Sequence, residues 1–196
     1  MRKGRWTTAA AAVVVMATGT LGAAVPAASA VGQGTARAAA LGCPTGWGSL
    51  SKHGADGSQV QRSLTGIRTG RHDCYDRMVF DVPGASSKAP GYDVAYVKTF
   101  RQDASGAVIP VSGGAILEIR IHAPSYDPET GTPTYPGRAG KKLPGVDLTG
   151  YRTFRDAKFG ASFEGVTQVG LGVRARLPFR VLRLPDRIVV DVAHRW

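Results

Sequence analysis

The chain has 196 residues, with 25 Lys and Arg against 14 Asp and Glu and a formal charge of +11 at neutral pH. That length bounds it to one ordinary domain with its own core, and the charge sets aside polycationic partners in favour of wall polymers, anionic lipid heads or nucleic acid. Charge alone does not choose among these, and a high isoelectric point is common in exported proteins of no special affinity.

Arg2, Lys3 and Arg5 precede an uncharged run from Thr7 to Val25, and Pro26 breaks that run before Ala28-Ser29-Ala30 at the A-x-A cleavage spacing. The pattern predicts a signal peptide over residues 1–30 and hence a secreted, envelope-associated protein. A membrane span takes about 20 strongly apolar residues. This run is mostly Ala, Thr and Gly, so no transmembrane segment is expected after cleavage. Ala40-Leu41-Gly42-Cys43 lies too far beyond the run, with Leu and Ala in the wrong order, to serve as a lipidation box. The leader holds three positive charges and no acids, so the mature chain carries about +8. Residues 31–42, mostly Ala, Gly, Gln and Thr, predict a flexible linker ahead of a folded domain over 43–196.

Two cysteines, Cys43 and Cys74, remain in the mature chain. In an oxidising compartment such a pair predicts a disulfide. Closing that loop contributes about 3–4 kcal/mol on the loop-entropy model. Cys74 lies in "TGRHDCYDRM" (69–78), the stretch densest in reactive side chains. A thiol nucleophile there needs a base, and His72 is two positions away. On an extended segment i and i+2 share a face without their functional groups meeting well. The stretch therefore reads as a stapled turn leading into a strand, with His72 and Asp73 in the turn.

Val60 to Ile67 predicts a first strand. Met78, Phe80 and Val82 alternate with Val79 and Asp81, and Asp93 to Phe100 repeats the pattern. In "AILEIRIHA", Ala115, Leu117, Ile119, Ile121 and Ala123 face one way while Glu118, Arg120 and His122 face the other. Pro124 to Gly150 is rich in Pro and Gly and predicts a long solvated loop. Asp127 and Glu129 within it lack the regular acidic spacing of a calcium loop. Ala157 to Phe163 predicts a short helical turn or an edge strand. "TQVGLGVRARL" (167–177), "FRVLRL" (179–184) and "RIVVDVAH" (187–194) complete the series. The chain reads as mostly β, with roughly seven to ten short strands and Gly/Pro-rich loops.

Arg77-Met78-Val79-Phe80-Asp81-Val82 is echoed by Arg187-Ile188-Val189-Val190-Asp191-Val192, identical at four of six positions. Each follows a Gly-Φ-Arg element, Gly66-Ile67-Arg68 and Gly172-Val173-Arg174. The echo predicts two related halves and two antiparallel sheets sharing one core. Chance likeness between two strands is the competing account.

"CPTGWGS" (43–49), "RTGRHDCYDRMVFDV" (68–82), "GGAILEIRIHAPSYD" (113–127) and "GYRTF…AHRW" (150–196) together resemble the AMIN-like domain family of secreted actinobacterial proteins. That family is similar in turn to the AMIN domain, a non-catalytic module of cell-wall amidases and pilus secretins. The resemblance implies a β-sandwich of two quasi-symmetric antiparallel sheets, an envelope location and, by way of the AMIN domain, peptidoglycan binding. The AMIN-like branch brings no settled activity, and no amidase or other hydrolase domain accompanies the module here.

Little in the sequence points to catalysis. His53, His72, His122 and His194 form no close metal-binding pair, and no G-x-S-x-G, S-x-x-K or Cys–His nucleophile block is present. Neither a metal nor a cofactor is expected. Glu118 and Glu164 could supply a carboxylate pair for glycoside cleavage, but any domain of this size holds several acids, and Glu118 is more simply a cross-strand residue. "GLGVRAR" sits in a strand pattern, which argues against a phosphate cradle. Binding has better material. Arg174 and Arg176 alternate along a predicted strand beside Gly170 and Gly172, whose face would be bare, and Arg180 and Arg183 follow on the next strand. These arginines suit carboxylates or phosphates of an anionic wall polymer. Trp47 and Tyr96, with Tyr92 and Phe100, offer rings for sugars. The competing account pairs the arginines with Asp81, Asp191, Glu118 or Glu164 and buries the rings. The expected partner is peptidoglycan or an anionic wall polymer; alternatives are an envelope protein, for which the chain would be an inhibitory or accessory module, and an uncharacterised hydrolase. Nucleic acid is not expected, because the basic residues are scattered and no RNA-binding signature is present.

Overall fold

The computed structural model describes residues 42–44, 46–55, 62–84 and 89–196. The predicted signal peptide, and all of the linker but Gly42, lie outside the described residues. Within them the chain forms nine strands and no helix: β1 (Lys52–Gly54), β2 (Gly66–Arg71), β3 (Tyr75–Asp81), β4 (Tyr92–Val97), β5 (Ala115–Ile121), β6 (Phe154–Phe163), β7 (Val166–Val173), β8 (Phe179–Leu184) and β9 (Arg187–Ala193). They make two antiparallel sheets, a five-stranded one in the order β1-β4-β5-β7-β6 and a four-stranded one in the order β2-β3-β9-β8.

Period-two alternation builds the core, as the sequence predicts. On β5, Leu117, Ile119 and Ile121 are fully buried, and they meet Met78, Phe80, Phe179, Ile188 and Val190 of the other sheet in one apolar cluster. An antiparallel sheet with one covered face needs this alternation, because a one-residue slip would turn every apolar side chain outward. β6 and β7 are joined through Glu164 and Gly165 alone. Both have positive φ, 46° and 77°, the backbone of a tight two-residue hairpin turn.

The echoed motifs do not fall one in each sheet. β3 and β9 are neighbours, and their antiparallel register sets Arg77 opposite Asp191, Val79 opposite Val189 and Asp81 opposite Arg187. The repeat is therefore a local two-fold inside the four-stranded sheet. Reversing one copy of Arg-Φ-Val-Φ-Asp against the other brings opposite charges together at both ends.

Several segments differ from the sequence expectation. Residues 60 and 61 of the first predicted strand lie outside the described residues, and 62–65 are not strand. Leu64 donates to the Pro124 carbonyl at 2.7 Å and Thr65 to the Asp81 carbonyl at 2.9 Å, single bonds in place of a ladder. Ala157 to Phe163 belongs to the long edge strand β6, interrupted by two bulges. β7 stops at Val173, opposite both Ala115 and Phe154 where β5 and β6 begin. Beyond it no partner strand remains, and residues 174–176 bend away.

The glycine face of β7 is not bare. Phe100, fully buried, lies over Gly170 and Gly160, where an added Cβ would come within 2.7 Å of its ring. Gln168 ties down the covering loop: its amide donates to the Arg101 carbonyl at 2.8 Å and its oxygen accepts from the Asp103 N–H at 3.0 Å. The glycines are there so that this loop can seat on the sheet. The segment from Pro124 to Gly150 is likewise packed and not merely solvated. Tyr135 and Leu143 are buried, and the Tyr135 hydroxyl donates to the Pro144 carbonyl at 2.9 Å. Burial pushes the Tyr135 phenol up to about 12.

Candidate functional site

Cys43 and Cys74 are joined by a disulfide, with Cα atoms 5.2 Å apart. The bond fastens the segment carrying Trp47 to the start of β3. Gly48 adds a backbone bond, its carbonyl accepting from Phe179 N–H at 2.9 Å. Trp47 is thereby laid on the outer face of the four-stranded sheet. The guanidinium of Arg180 sits 4.4 Å from its ring and 5.4 Å from that of Tyr75. Beneath lies Asp191, fully buried, bonded by Arg77 at 2.6 Å and by Arg180 at 2.8 Å. The hydrogen bond to Asp191 raises the Arg77 pKa above its ordinary value. Arg180 and Trp47 are thus brought together around a carboxylate of the protein itself. Trp47 also lines a largely apolar cavity of about 500 Å³ with Cys43, Pro44, Cys74, Pro178 and Trp196.

The other predicted residues do not share that face. Tyr96 points toward the core, where its hydroxyl donates to the Leu177 carbonyl at 2.8 Å and accepts from the Leu177 N–H at 3.0 Å. Burial holds its phenol above the ordinary range, and the ring packs edge-on against Phe179. Arg176 covers Tyr96 and donates to the Ser49 carbonyl at 3.1 Å. Arg183 holds the carbonyls of Ala55 and Ala89 at the β8–β9 turn, whereas Arg174 reaches the His194 carbonyl at the opposite end of β9. The four arginines do not form one stripe, because 174–176 leave the strand that was to carry them. Glu118 bonds Gln168 at 2.6 Å. Glu164, in the hairpin turn, is separated from it by roughly 17 Å of strand, too far for a glycosidase pair.

A different constellation forms where β3 starts, β9 ends and β6 begins. Asp76 shares the inward face with Met78 and Phe80 and is fully buried. Its carboxylate accepts from Thr153 N–H at 2.5 Å, from Phe154 N–H at 3.2 Å and meets His194 Nε2 at 3.0 Å. This bond set ties the two sheets together. The other ring nitrogen of His194 faces the Asp73 carbonyl at 3.1 Å. Both ring nitrogens of His194 are thus engaged by groups of the protein itself. Beside the pair opens a cleft of about 310 Å³ lined by Arg71, His72, Asp73, Asp76, Gly150, Arg152 and His194. His72 is stacked on Tyr75, ring centroids 4.4 Å apart. Sequence reading missed Asp76, Arg71 and Arg152. The signal was an aspartate in phase with the core residues of β3, a position that requires a buried partner. Among the described residues no group of three His, Cys, Asp or Glu is arranged to hold a metal ion.

These features define a small two-sheet antiparallel module, pinned at its entrance by a disulfide and basic at one end. Residues 62–194 match the model of the AMIN-like domain, and the chain belongs to that family, which suggests a cell-envelope module. Comparison with curated proteins and with solved structures gave no match.

Proposed function

We propose that the chain is an exported, non-catalytic cell-envelope module that holds an anionic wall polymer at its basic end. One observation carries this. Arg71, Arg152, Arg155, Arg174 and Arg195 are all exposed at the end where β3 starts and β9 finishes. None of them has a carboxylate partner among the described residues. Arg152 and Arg174 donate to backbone carbonyls of residues 73 and 194, and Arg155 to the carbonyls of residues 151, 152 and 154. A carbonyl orients a guanidinium without neutralising it, so the charge stays available to phosphates of teichoic acid or carboxylates of peptide stems. The nearby Asp76 is withdrawn into its own buried bonds.

Sedimentation of the purified protein with insoluble wall, with and without teichoic acid and across a salt series, tests the reading. Binding is expected to fall steeply with salt, because exposed charges are screened within about 8 Å at physiological ionic strength. Arg152→Gln, Arg155→Gln and Arg174→Gln combined should reduce it by an order of magnitude or more. If neither polymer pulls the protein down, the reading fails and a protein partner takes its place.

A further inference from the structure

The open charges of the cleft are unequal and of both signs. Arg71 is exposed with no partner among the described residues, and Arg152 makes one long bond, 3.4 Å, to the Asp73 carbonyl. Asp73 is exposed as well. Only its backbone carbonyl is used, by Arg152 and His194, and its carboxylate has no partner among the described residues. Asp76 contributes no open charge, because its oxygens are taken by Thr153, Phe154 and His194. The guanidinium groups of Arg71 and Arg152 and the carboxylate of Asp73 thus stand open around the cleft, beside the exposed ring of His72, which is stacked on Tyr75.

We infer that this cleft is a binding site for an α-amino-acid head group, its carboxylate held between Arg71 and Arg152 and its ammonium held by Asp73. A simple anion entering between the arginines meets the repulsion of Asp73, and a simple cation meets the repulsion of two arginines. A zwitterion with both charges on one carbon satisfies all three groups. A guanidinium presents a planar fork of N–H donors that matches a carboxylate, which fits the role given to Arg71 and Arg152. The volume, about 310 Å³, is at the small end of ligand sites and suits one amino acid. Gly150 closes the cleft in a backbone conformation that side chains rarely adopt. Its φ is +77°, and a Cβ there would lie 2.9 Å from Arg71 Nη1, against the guanidinium. The site shares Arg71 and Arg152 with the polymer reading but does not depend on it.

The test is an NMR titration of the disulfide-bonded full chain with alanine, N-acetylalanine and alanine amide, following the Gly150 amide and the arginine Nε resonances. Alanine is expected to give saturable shifts, and each blocked analogue to bind roughly three- to tenfold more weakly. Asp73→Asn should make alanine and N-acetylalanine equal. Arg71→Gln with Arg152→Gln should abolish both. These side chains are exposed, and an unchanged thermal midpoint checks that the variants fold. N-acetylalanine binding as well as alanine would show a plain anion cleft, and the amide binding as well would show a cation site at Asp73. Either result, or no saturable shift with any of the three, overturns the inference. Alanine binding without wall sedimentation sinks only the polymer reading, and the converse sinks only this one.

Discussion

The two ends of the β3–β9 pair begin from the same sequence, Arg-Φ-Val-Φ-Asp-Val, and finish in different states. At one end Asp191 is fully buried between Arg77 and Arg180, under the rings of Trp47 and Tyr75. At the other, Asp81 and Arg187 stand opposite one another in register yet pair elsewhere: Asp81 with Arg68 at 2.8 Å, and Arg187 with Asp186 at 2.5 Å. Strand pairing supplies a charge opposite a charge at both ends. The difference comes from what lies above the sheet, since only the first end is roofed by the segment that the disulfide fastens. A local two-fold in sequence becomes an asymmetric molecule through one covalent bond made elsewhere.

The largest effect is expected from removing the buried carboxylate. Asp191→Ala leaves two guanidinium groups facing each other without an acceptor. Breaking a buried pair from one side costs about 3–5 kcal/mol. The lower part of that range applies, because the Arg77 and Arg180 side chains keep 26% and 31% of their exposure. Asp81→Ala removes the symmetry-related carboxylate from an exposed pair and should cost no more than about 1 kcal/mol. Urea unfolding of both variants measures the contrast. Near-equal losses would mean that the roof does not distinguish the two ends.

The roof itself comes next. Replacing Cys43 and Cys74 with Ser should cost about 3–4 kcal/mol for residues 31 apart in the chain. Trp47→Ala in the oxidised protein removes a ring from Arg180, about 1–2 kcal/mol by the usual strength of a partly desolvated cation–π contact. If the disulfide stabilises partly by holding Trp47 in place, the two losses overlap. The Trp47→Ala penalty should then shrink when the disulfide is absent, as a double-mutant cycle would show. Additive losses would separate the staple from the roof.

Much of this frame was legible in the sequence, and the limits of that legibility are physical. The alternation in "AILEIRIHA" located a core strand because period two is a local property. The cysteine pair located the staple because compartment and count suffice. The echo was visible, but whether its copies pair with one another or sit in separate sheets depends on contacts between residues more than a hundred positions apart. The arginine face was misplaced for a related reason. Alternation in "GLGVRARL" continues past Val173, whereas the strand ends there because both neighbouring strands begin at that level. Gly170 and Gly172 invited a ligand and received Phe100 and the Ser112 backbone instead. "TGRHDCYDRM" was read as structural for its cysteine and strand, which holds for Cys74, Tyr75, Asp76, Arg77 and Met78. Its exposed members, Arg71, His72 and Asp73, line a cleft completed by Gly150, Arg152 and His194, and no local pattern reports so distant an alignment.

The smallest effect belongs to the open end and sharpens the comparison through pH. The Arg187 hydrogen bonds hold the Asp186 carboxyl below the usual carboxylate range. A folded-state value below the unfolded one contributes stability that is fully present above the unfolded value, near 3.9, and is lost as pH falls through the folded one. Asp186 is exposed, so the loss should be slight and should shrink further in high salt. Carboxyl-resolved NMR titration should place Asp186 below the usual carboxylate range, and Arg187→Gln should return it toward that range. At the roofed end the same salt increase should leave the stability difference between the wild type and Asp191→Ala almost unchanged, since buried pairs are screened much less. A salt response of equal size at both ends would show that water reaches Asp191 as freely as it reaches Asp186, and the asymmetry assigned to Trp47 and the disulfide would be lost.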